Sequence, residues 1–391
     1  MKRAIETQPK RLPARSQRAA RATLAAGFAA LVAVAGLGAA QGRHLSSRSV
    51  AAPAQSVQAV PPAQAFSADL PLPSRLSETG LYVTGSTSEI ASENLAYAPG
   101  YALWSDGATK RRWVHLPPDT QIDASNPDDW QFPIGTRFWK EFSFGTRTET
   151  RYLERVQDGS FRYATYVWDA ALHDAVLAPS AGLQATREIQ PGILHDVPSD
   201  GDCRACHEGR RSPVLGFGAL QLSPARDPFA PHREPQPPGG VDLSELVRRG
   251  LLRGLPASLL ARPPRILAPS ASARASAGYL FGNCAHCHNA SGPLASLGLD
   301  FDQSVLDDRG YQRLRENVVA RGSHYRIPGQ ARSLRVQPSA PAESALWFRM
   351  QSRFAAAQMP PLGTKLVDLQ AVRLIERWII ADLPASVSPV N

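Results

Sequence analysis

Residues 281–292 read FGNCAHCHNASG and place two cysteines three positions apart, with a histidine directly after the second. Residues 199–210, SDGDCRACHEGR, repeat this arrangement, and the two segments use all four cysteines of the chain. The pattern C-x-x-C-H has a specific chemical explanation, which is covalent haem attachment. Each thiol bonds one vinyl group of the porphyrin, and the histidine becomes the proximal ligand of the iron.

Other uses of the cysteines fit the pattern less well. Disulfides leave the histidine after each pair unexplained, and a zinc site of two C-x-x-C halves usually keeps them roughly 15–20 residues apart. A thioredoxin-like motif would lie between a strand and a helix, whereas a helical pattern precedes Cys284. The sequence therefore predicts two covalently attached c-type haems, one at Cys203, Cys206 and His207 and one at Cys284, Cys287 and His288.

Helical patterns lie on either side of the second motif. Residues 271–283, ASARASAGYLFGN, predict a helix that leads into Cys284. Residues 367–384, VDLQAVRLIERWIIADLP, have apolar residues at helical spacing and an N-cap candidate in Asp368. A class I cytochrome c closes its haem pocket by packing such a first helix against such a last one. His286, inside the motif, is predicted to be a spacer whose ring points away from the porphyrin.

Met359 is the predicted distal ligand of the second haem. It lies in AAAQMPPLGTK, residues 355–365, where the following prolines hold the backbone of a loop extended. A thioether and an imidazole together raise the reduction potential of a haem. The alternative is that Met359 fills a gap in the core. Met350, in an apparent helix, is expected to be a core residue.

The distal ligand of the first haem stays open. No methionine follows His207 before Met350, and the nearest histidines are His195 and His232. Any of these three residues, or an open sixth position, is compatible with the sequence. An open position would matter because an iron with a free site can carry out chemistry.

The N-terminus resembles an export signal. Residues 1–40 consist of a basic segment and an uncharged run that ends in small residues, so we predict a signal peptide and a periplasmic location. A retained membrane anchor is the alternative, and only in that case would a membrane be a partner. Most of the formal net charge of +9 comes from this segment, which argues against a nucleic-acid partner. Residues 41–75 predict a disordered Pro/Ala/Ser linker.

Three regions follow the linker in the predicted domain organisation. Aromatic and β-branched segments at 76–190 predict antiparallel strands in a sandwich or barrel. Residues 191–270 predict the first haem region, and residues 271–391 a class I cytochrome c-like domain with the second haem. The predicted fold class is α+β multidomain, with a β-rich N-terminal domain followed by mainly α-helical cytochrome c-type haem domains.

Several segments together resemble a family of bacterial periplasmic dihaem c-type cytochromes with a β-rich N-terminal region. They are RLSETGLY, YAPGYALWSDGATKRRWVHLP, WQFPIGTRFWKEF, both C-x-x-C-H motifs and QMPPLG, and the resemblance covers residues 76–383. It implies haem attachment at Cys203, Cys206, Cys284 and Cys287, with His207 and His288 as proximal ligands. ALWSDGATKR is a mark of the family; in it, Asp106 and Lys110 form either a binding spot or, through Asp106-Gly107, a turn.

The function predicted from these observations is single-electron transfer between redox partner proteins through the two haems. No catalytic residue is assigned, because the residues tune potential and spacing and do no acid–base work. One alternative is a dihaem peroxidase with an open site at the first haem. The other is a module that binds a partner protein or a carbohydrate, with the haems as auxiliaries.

Overall fold

Residues 70–383 are described by the structure, which is a computed structural model. The predicted signal peptide at 1–40 and residues 41–69 of the predicted linker lie outside the described residues. All described residues fall within one compact unit of the chain. The predicted domain boundaries after residues 190 and 270 stay predictions.

Strands dominate the described residues up to position 197. They are β1 (Leu95–Ala96), β2 (Thr109–His115), β3 (Ile122–Asp123), β4 (Arg137–Phe144), β5 (Thr146–Arg155), β6 (Phe161–Trp168), β7 (Ala175–Leu177), β8 (Leu183–Gln190), β9 (Ile193–Val197) and the later β10 (Leu252–Arg253). The main sheet has six antiparallel strands in the order β1-β2-β4-β5-β6-β7. β8 pairs with β9 in antiparallel fashion, and β3 pairs with β10 in parallel.

Buried side chains lie on both faces of the main sheet, because the side chains alternate along each strand. Successive side chains of a strand point to opposite faces, so Trp139 and Phe138 of β4 pack on different sides. Trp139 joins a cluster with Tyr152 and with Leu76 from the segment before β1. Phe138 joins a second cluster with Phe217 from the chain after the first cysteine pair. The second face therefore carries the part of the chain that holds the candidate site.

Short helices and long loops make up the rest of the described chain. The helices are α1 (Asp200–His207), α2 (Leu243–Arg248), α3 (Ser258–Ala261), α4 (Ala271–Asn283), α5 (Gly310–Val318), α6 (Ala345–Gln351) and α7 (Leu369–Arg377). A π-helical turn, Trp378–Asp382, continues α7. None of the helices between residues 70 and 383 is long and apolar enough to cross a membrane.

Helices α4 and α7 pack against each other, as the sequence predicts for these two segments. The side chain of Ser270 caps α4, and the side chain of Asp368 accepts a hydrogen bond from the amide of Ala371 at the start of α7. Trp378 is fully buried in the shared core, where its indole N–H donates to the hydroxyl of Tyr311 over 3.0 Å. The apolar spacing of α7 thus specifies its buried face.

The predicted fold class is nevertheless wrong. Only 23% of the described residues are helical, and the longest helix, α4, has 13 residues. No mainly α-helical haem domain is present between residues 70 and 383. One reason is composition, because the 34 prolines and 29 glycines of the chain interrupt helical segments. Another is packing, since α4 rests directly on the segment before β2, where a Cβ atom on Gly278 would overlap the ring of Tyr101.

The contact between α4 and this segment depends on one buried amide. Asn283, the last residue of α4, accepts a hydrogen bond from the backbone N–H of Trp104 over 2.7 Å and donates one to the carbonyl of Ala102 over 3.1 Å. Asn283 is almost fully buried. Its side chain therefore connects the helix before the second cysteine pair to the loop before β2.

We expect Asn283→Ala to destabilise the protein by about 2 kcal/mol, because it leaves a buried N–H and a buried carbonyl without partners. Urea unfolding measures the change. Asn317→Ala is the matched control, since Asn317 lies in a helix and its amide donates only to a carbonyl of its own helix. Equal losses in the two variants would contradict this role of Asn283.

His115, at the end of β2, makes stability depend on pH. Burial, with Arg137 nearby, lowers the pKa of His115 to about 4. As the pH falls below 6.5, the unfolded chain binds a proton at this residue before the folded chain does, so stability is lost between pH 6.5 and pH 4. We expect His115→Gln to lose less stability over this range in urea unfolding. An unchanged slope against pH would contradict the assignment.

Candidate functional site

Helix α1 presents the first cysteine pair. Ser199 and Asp202 form a capping box that fixes the start of this helix, and Cys203 and Cys206 follow one turn apart. His207 ends the helix, and its Nδ1 lies 2.7 Å from the carbonyl oxygen of Pro213. A carbonyl only accepts, so Nδ1 carries the proton and Nε2 stays available as a donor of its lone pair. Burial lowers the pKa of His207 to about 4, which keeps the ring neutral.

The second pair follows α4 directly, because Cys284 is the C-cap of that helix. His288 is buried, with its ring edge-to-face with Phe301 at 5.8 Å between centroids. Burial lowers the pKa of His288 to about 4. Its Nδ1 is buried and has no hydrogen-bond partner among the described residues. A buried polar atom without a partner needs an explanation, and a bound ion or other group beside it is one such explanation.

Each cysteine segment lines its own pocket. The first pocket, beside Cys203, Cys206 and His207, has a volume of about 520 Å³. The second pocket, beside Cys284, Cys287 and His288, has a volume of about 340 Å³. Both volumes lie in the range of small-molecule and cofactor sites.

The second pocket is mainly apolar and contains two sulfur atoms besides those of its cysteines. Met359 and Met350 both line it, together with Phe301 and Leu346. Met359 thus shares a pocket with His288. Met350 is buried on α6 as a core residue, as the sequence predicts, and it also lines this pocket.

The three residues that the sequence leaves open as a second ligand beside His207 lie in different places relative to the first pocket. His195 lines this pocket, with its Nε2 3.1 Å from a carboxylate oxygen of Glu149. His232 is not part of the lining; its Nε2 lies 2.9 Å from each carboxylate oxygen of Asp368. Met350 lines the second pocket instead. Of the three residues, only His195 faces the first pocket.

The two cysteine segments touch each other. The side-chain amide of Asn289 donates to the carbonyl of Gly209 over 2.8 Å, and a Cβ atom on Gly209 would overlap the carbonyl oxygen of His286. A hydrogen bond with Cys287 and burial raise the pKa of Cys206 to about 12, so these two thiols are neighbours. The wall between the two pockets is therefore built in part from the segments themselves, and Arg353 and Pro361 also line both pockets.

His286 differs from its prediction as a spacer. It is buried, and it lines both pockets. The reason is the contact between the two segments, which encloses a side chain that would face solvent in an isolated motif. No signal within the sequence reveals this contact, because it joins residues far apart along the chain.

The stretch ALWSDGATKR contributes lining residues to both pockets and binds the segment that follows Met359. Asp106 is buried, and its carboxylate accepts hydrogen bonds from the backbone amides of Lys365 and Leu366, each over 2.9 Å. These amides follow the Met359 loop. Asp106 and Gly107 form a turn in which both residues have positive φ, and Lys110 donates to the carbonyl of Leu103. The turn interpretation therefore fits, and the carboxylate has a positioning role that the sequence did not reveal.

The cofactor prediction needs correction. Between residues 70 and 383 no group of three or more His, Cys, Asp or Glu side chains could hold a metal ion, and all four cysteines are free. The donors are divided between two pockets, and each cysteine segment brings only one histidine after its pair. These are too few donors for an ion held by side chains alone. The prediction of two iron-containing haems thus has no support from a metal-binding cluster among the described residues.

Three cationic residues at the first pocket also escaped the sequence analysis. Arg112, Lys140 and Arg151 all line it. They lie on β2, β4 and β5 directly opposite one another, which follows from the strand register and not from their spacing along the chain. Burial, with Arg112 nearby, lowers the pKa of Lys140 well below its usual range.

Comparison with known proteins gives no relative for this chain. No family model matches it, and neither a curated protein nor a solved structure matches it. The resemblance to dihaem c-type cytochromes therefore rests on the sequence segments quoted above.

We expect Asp106→Ala to speed amide hydrogen exchange at Lys365 and Leu366 by about tenfold or more, because a charged acceptor is lost. Asp119→Ala is the matched control, since Asp119 also has positive φ but is exposed in a distant turn. Unchanged exchange at both amides in Asp106→Ala would contradict the positioning role.

Proposed function

We propose that the protein is a periplasmic electron carrier, which passes single electrons between a donor and an acceptor protein. The observation that carries the proposal is the direct contact between the two C-x-x-C-H segments, each on the wall of its own pocket. Redox groups seated in such pockets would be close neighbours. The identity of the groups is not part of the proposal.

The second pocket suits the storage of an electron. Its walls are mainly apolar, and the sulfur atoms of Met350 and Met359 line it. An apolar wall excludes water, and a thioether favours the electron-rich state of a bound redox centre. His288 contributes a neutral imidazole whose Nδ1 has no partner among residues 70–383.

Three of the four thiols, those of Cys203, Cys206 and Cys284, are poor candidates for the redox step. Burial raises the pKa of Cys203 to about 11 and that of Cys284 to about 12, so both stay protonated near neutral pH. Because the thiolate is the reactive form, dithiol exchange at these positions is disfavoured. Cys287 is the exception, because its hydrogen bond with Cys206 lowers the pKa of its thiol. Raised thiol pKa values at the other three cysteines favour electron transfer by a bound group over dithiol exchange.

A peroxidase is the second candidate, and one observation favours it. The first pocket has no methionine in its lining, while His195 and Arg151 face it. A pocket with polar groups and no closing thioether could admit a small substrate. Turnover of hydrogen peroxide with a reduced donor at enzymatic rates would replace the carrier by this function.

An anaerobic reductive titration of the exported, purified protein, followed by absorption, tests the proposal. We expect one electron to be taken up per pocket, in two steps that are reversible on oxidation. Met359→Leu keeps the volume but removes the sulfur, and it should lower the midpoint potential of one step only. Absence of any reversible one-electron step would contradict the electron carrier.

Met350→Leu is the matched comparison, because Met350 is the other thioether in the same pocket. We expect it to shift the potential less than Met359→Leu. The opposite order of the two shifts would assign the thioether role to Met350.

A further inference from the structure

Three cations stand side by side on the sheet face that borders the first pocket. Arg112 is paired with Lys140, and Lys140 is paired with Arg151, in the register of β2, β4 and β5. Like charges directly opposite each other in a sheet are destabilising. Such a row therefore needs negative charge nearby. The ion pairs of the three residues show which of them lacks a carboxylate partner.

The two outer members have carboxylate partners. Arg112 forms an ion pair with Glu234, and Arg151 forms one with Glu149 over 2.6 Å. Lys140, in the middle, has no carboxylate within 4.0 Å among the described residues. Its amine lies 4.8 Å from the centroid of the Phe142 ring. The central amine thus faces the pocket without a carboxylate partner, and an anion bound beside it would favour its protonated form.

The acidic residues of the pocket are already engaged. Asp106 accepts the amides of Lys365 and Leu366, Asp196 forms an ion pair with Lys365, and Asp202 accepts from Ser199. None of them is left to neutralise Lys140.

A second donor without a partner lines the same pocket. The hydroxyl of Tyr163 is buried and has no hydrogen-bond partner between residues 70 and 383. Burial raises the pKa of Tyr163, so this hydroxyl keeps its proton and can donate. Tyr163 lies on β6, two strands away from Lys140 on β4 and two residues along from it in register, which is roughly 12 Å in sheet geometry. This span suits an organic molecule better than a single inorganic ion.

The remaining wall of the pocket combines polar side chains with a set of apolar ones. The apolar lining includes Leu153, Leu183, Leu215, Phe281 and Leu362. Such a wall, next to one uncompensated amine and one free hydroxyl, favours a ligand with an apolar body and an anionic end.

We propose that the first pocket binds an organic carboxylate, with Lys140 as the counter-charge of the carboxylate and the Tyr163 hydroxyl as a further donor to the ligand. The site requires only the pocket and the cationic row, so it does not depend on the electron-carrier function. The carboxylate belongs either to a diffusible molecule or to a group that stays bound to the protein, and the experiment separates these sources.

Calorimetric titration of the full purified protein with benzoate, and with neutral benzamide as the probe of the same shape, tests the site. We expect benzoate to bind and benzamide to bind at least about tenfold more weakly. Lys140→Met should reduce benzoate affinity about tenfold, whereas Arg248→Met, at an exposed ion pair, should leave it unchanged. Equal binding of both probes, or binding unaffected by Lys140→Met, would overturn the proposal.

Thermal unfolding provides the second measurement. Without ligand, Lys140→Met should raise the melting temperature, because it replaces a buried amine that has no carboxylate partner with an apolar side chain of similar length. Benzoate should raise the melting temperature of the wild type and not that of the variant. If the wild type binds no benzoate but carries a carboxylate-bearing group after purification, Lys140→Met must reduce the amount retained, measured by mass spectrometry. An unchanged amount in that case would also overturn the proposal.

Discussion

The close contact between the two cysteine segments at Gly209 is the constraint on which the arrangement of the site depends. Any side chain at this position would overlap the carbonyl oxygen of His286, and the carbonyl of Gly209 accepts the side-chain amide of Asn289. Only a glycine lets the two backbones approach so closely. The contact brings two motifs that are distant in sequence to a common wall, and it places His286 at both pockets.

Two further interactions keep the pockets in place around this contact. Asn283 fixes the end of α4 to the backbone of Trp104, and Asp106 holds the amides after the Met359 loop. Both partners lie in the loop that leads into β2. The main sheet therefore contributes to the site. The loop before its first long strand, β2, anchors α4 and the Met359 loop, which both line the second pocket. This explains why the cysteine segments need no helical domain of their own.

Local patterns in the sequence predicted several elements well. The helix before Cys284 and the cap of α7 at Asp368 follow from residues adjacent in the chain, and the structure contains both. The fold class failed because helical spacing in two segments was extended to whole domains, although prolines and glycines interrupt the chain between them. The cationic row could not be predicted, since Arg112, Lys140 and Arg151 meet only through strand register.

The two pockets differ in a way that bears on function. The second is apolar and has two thioethers, whereas the first is lined by cations, His195 and the hydroxyl of Tyr163. A carrier with two equivalent centres would not need this asymmetry. The electron-carrier proposal seats a redox group in each pocket, and the carboxylate site gives the first pocket an anion-binding task that the second pocket lacks.

A crystal structure of the exported, purified protein tests the central claim most directly, because it reports both the contact between the segments and the contents of the pockets. The account predicts that the Asn289 amide lies within hydrogen-bond distance of the Gly209 carbonyl, and that electron density for a bound group fills the pocket beside each cysteine segment. Two separated segments, or two pockets filled only by solvent, would contradict it.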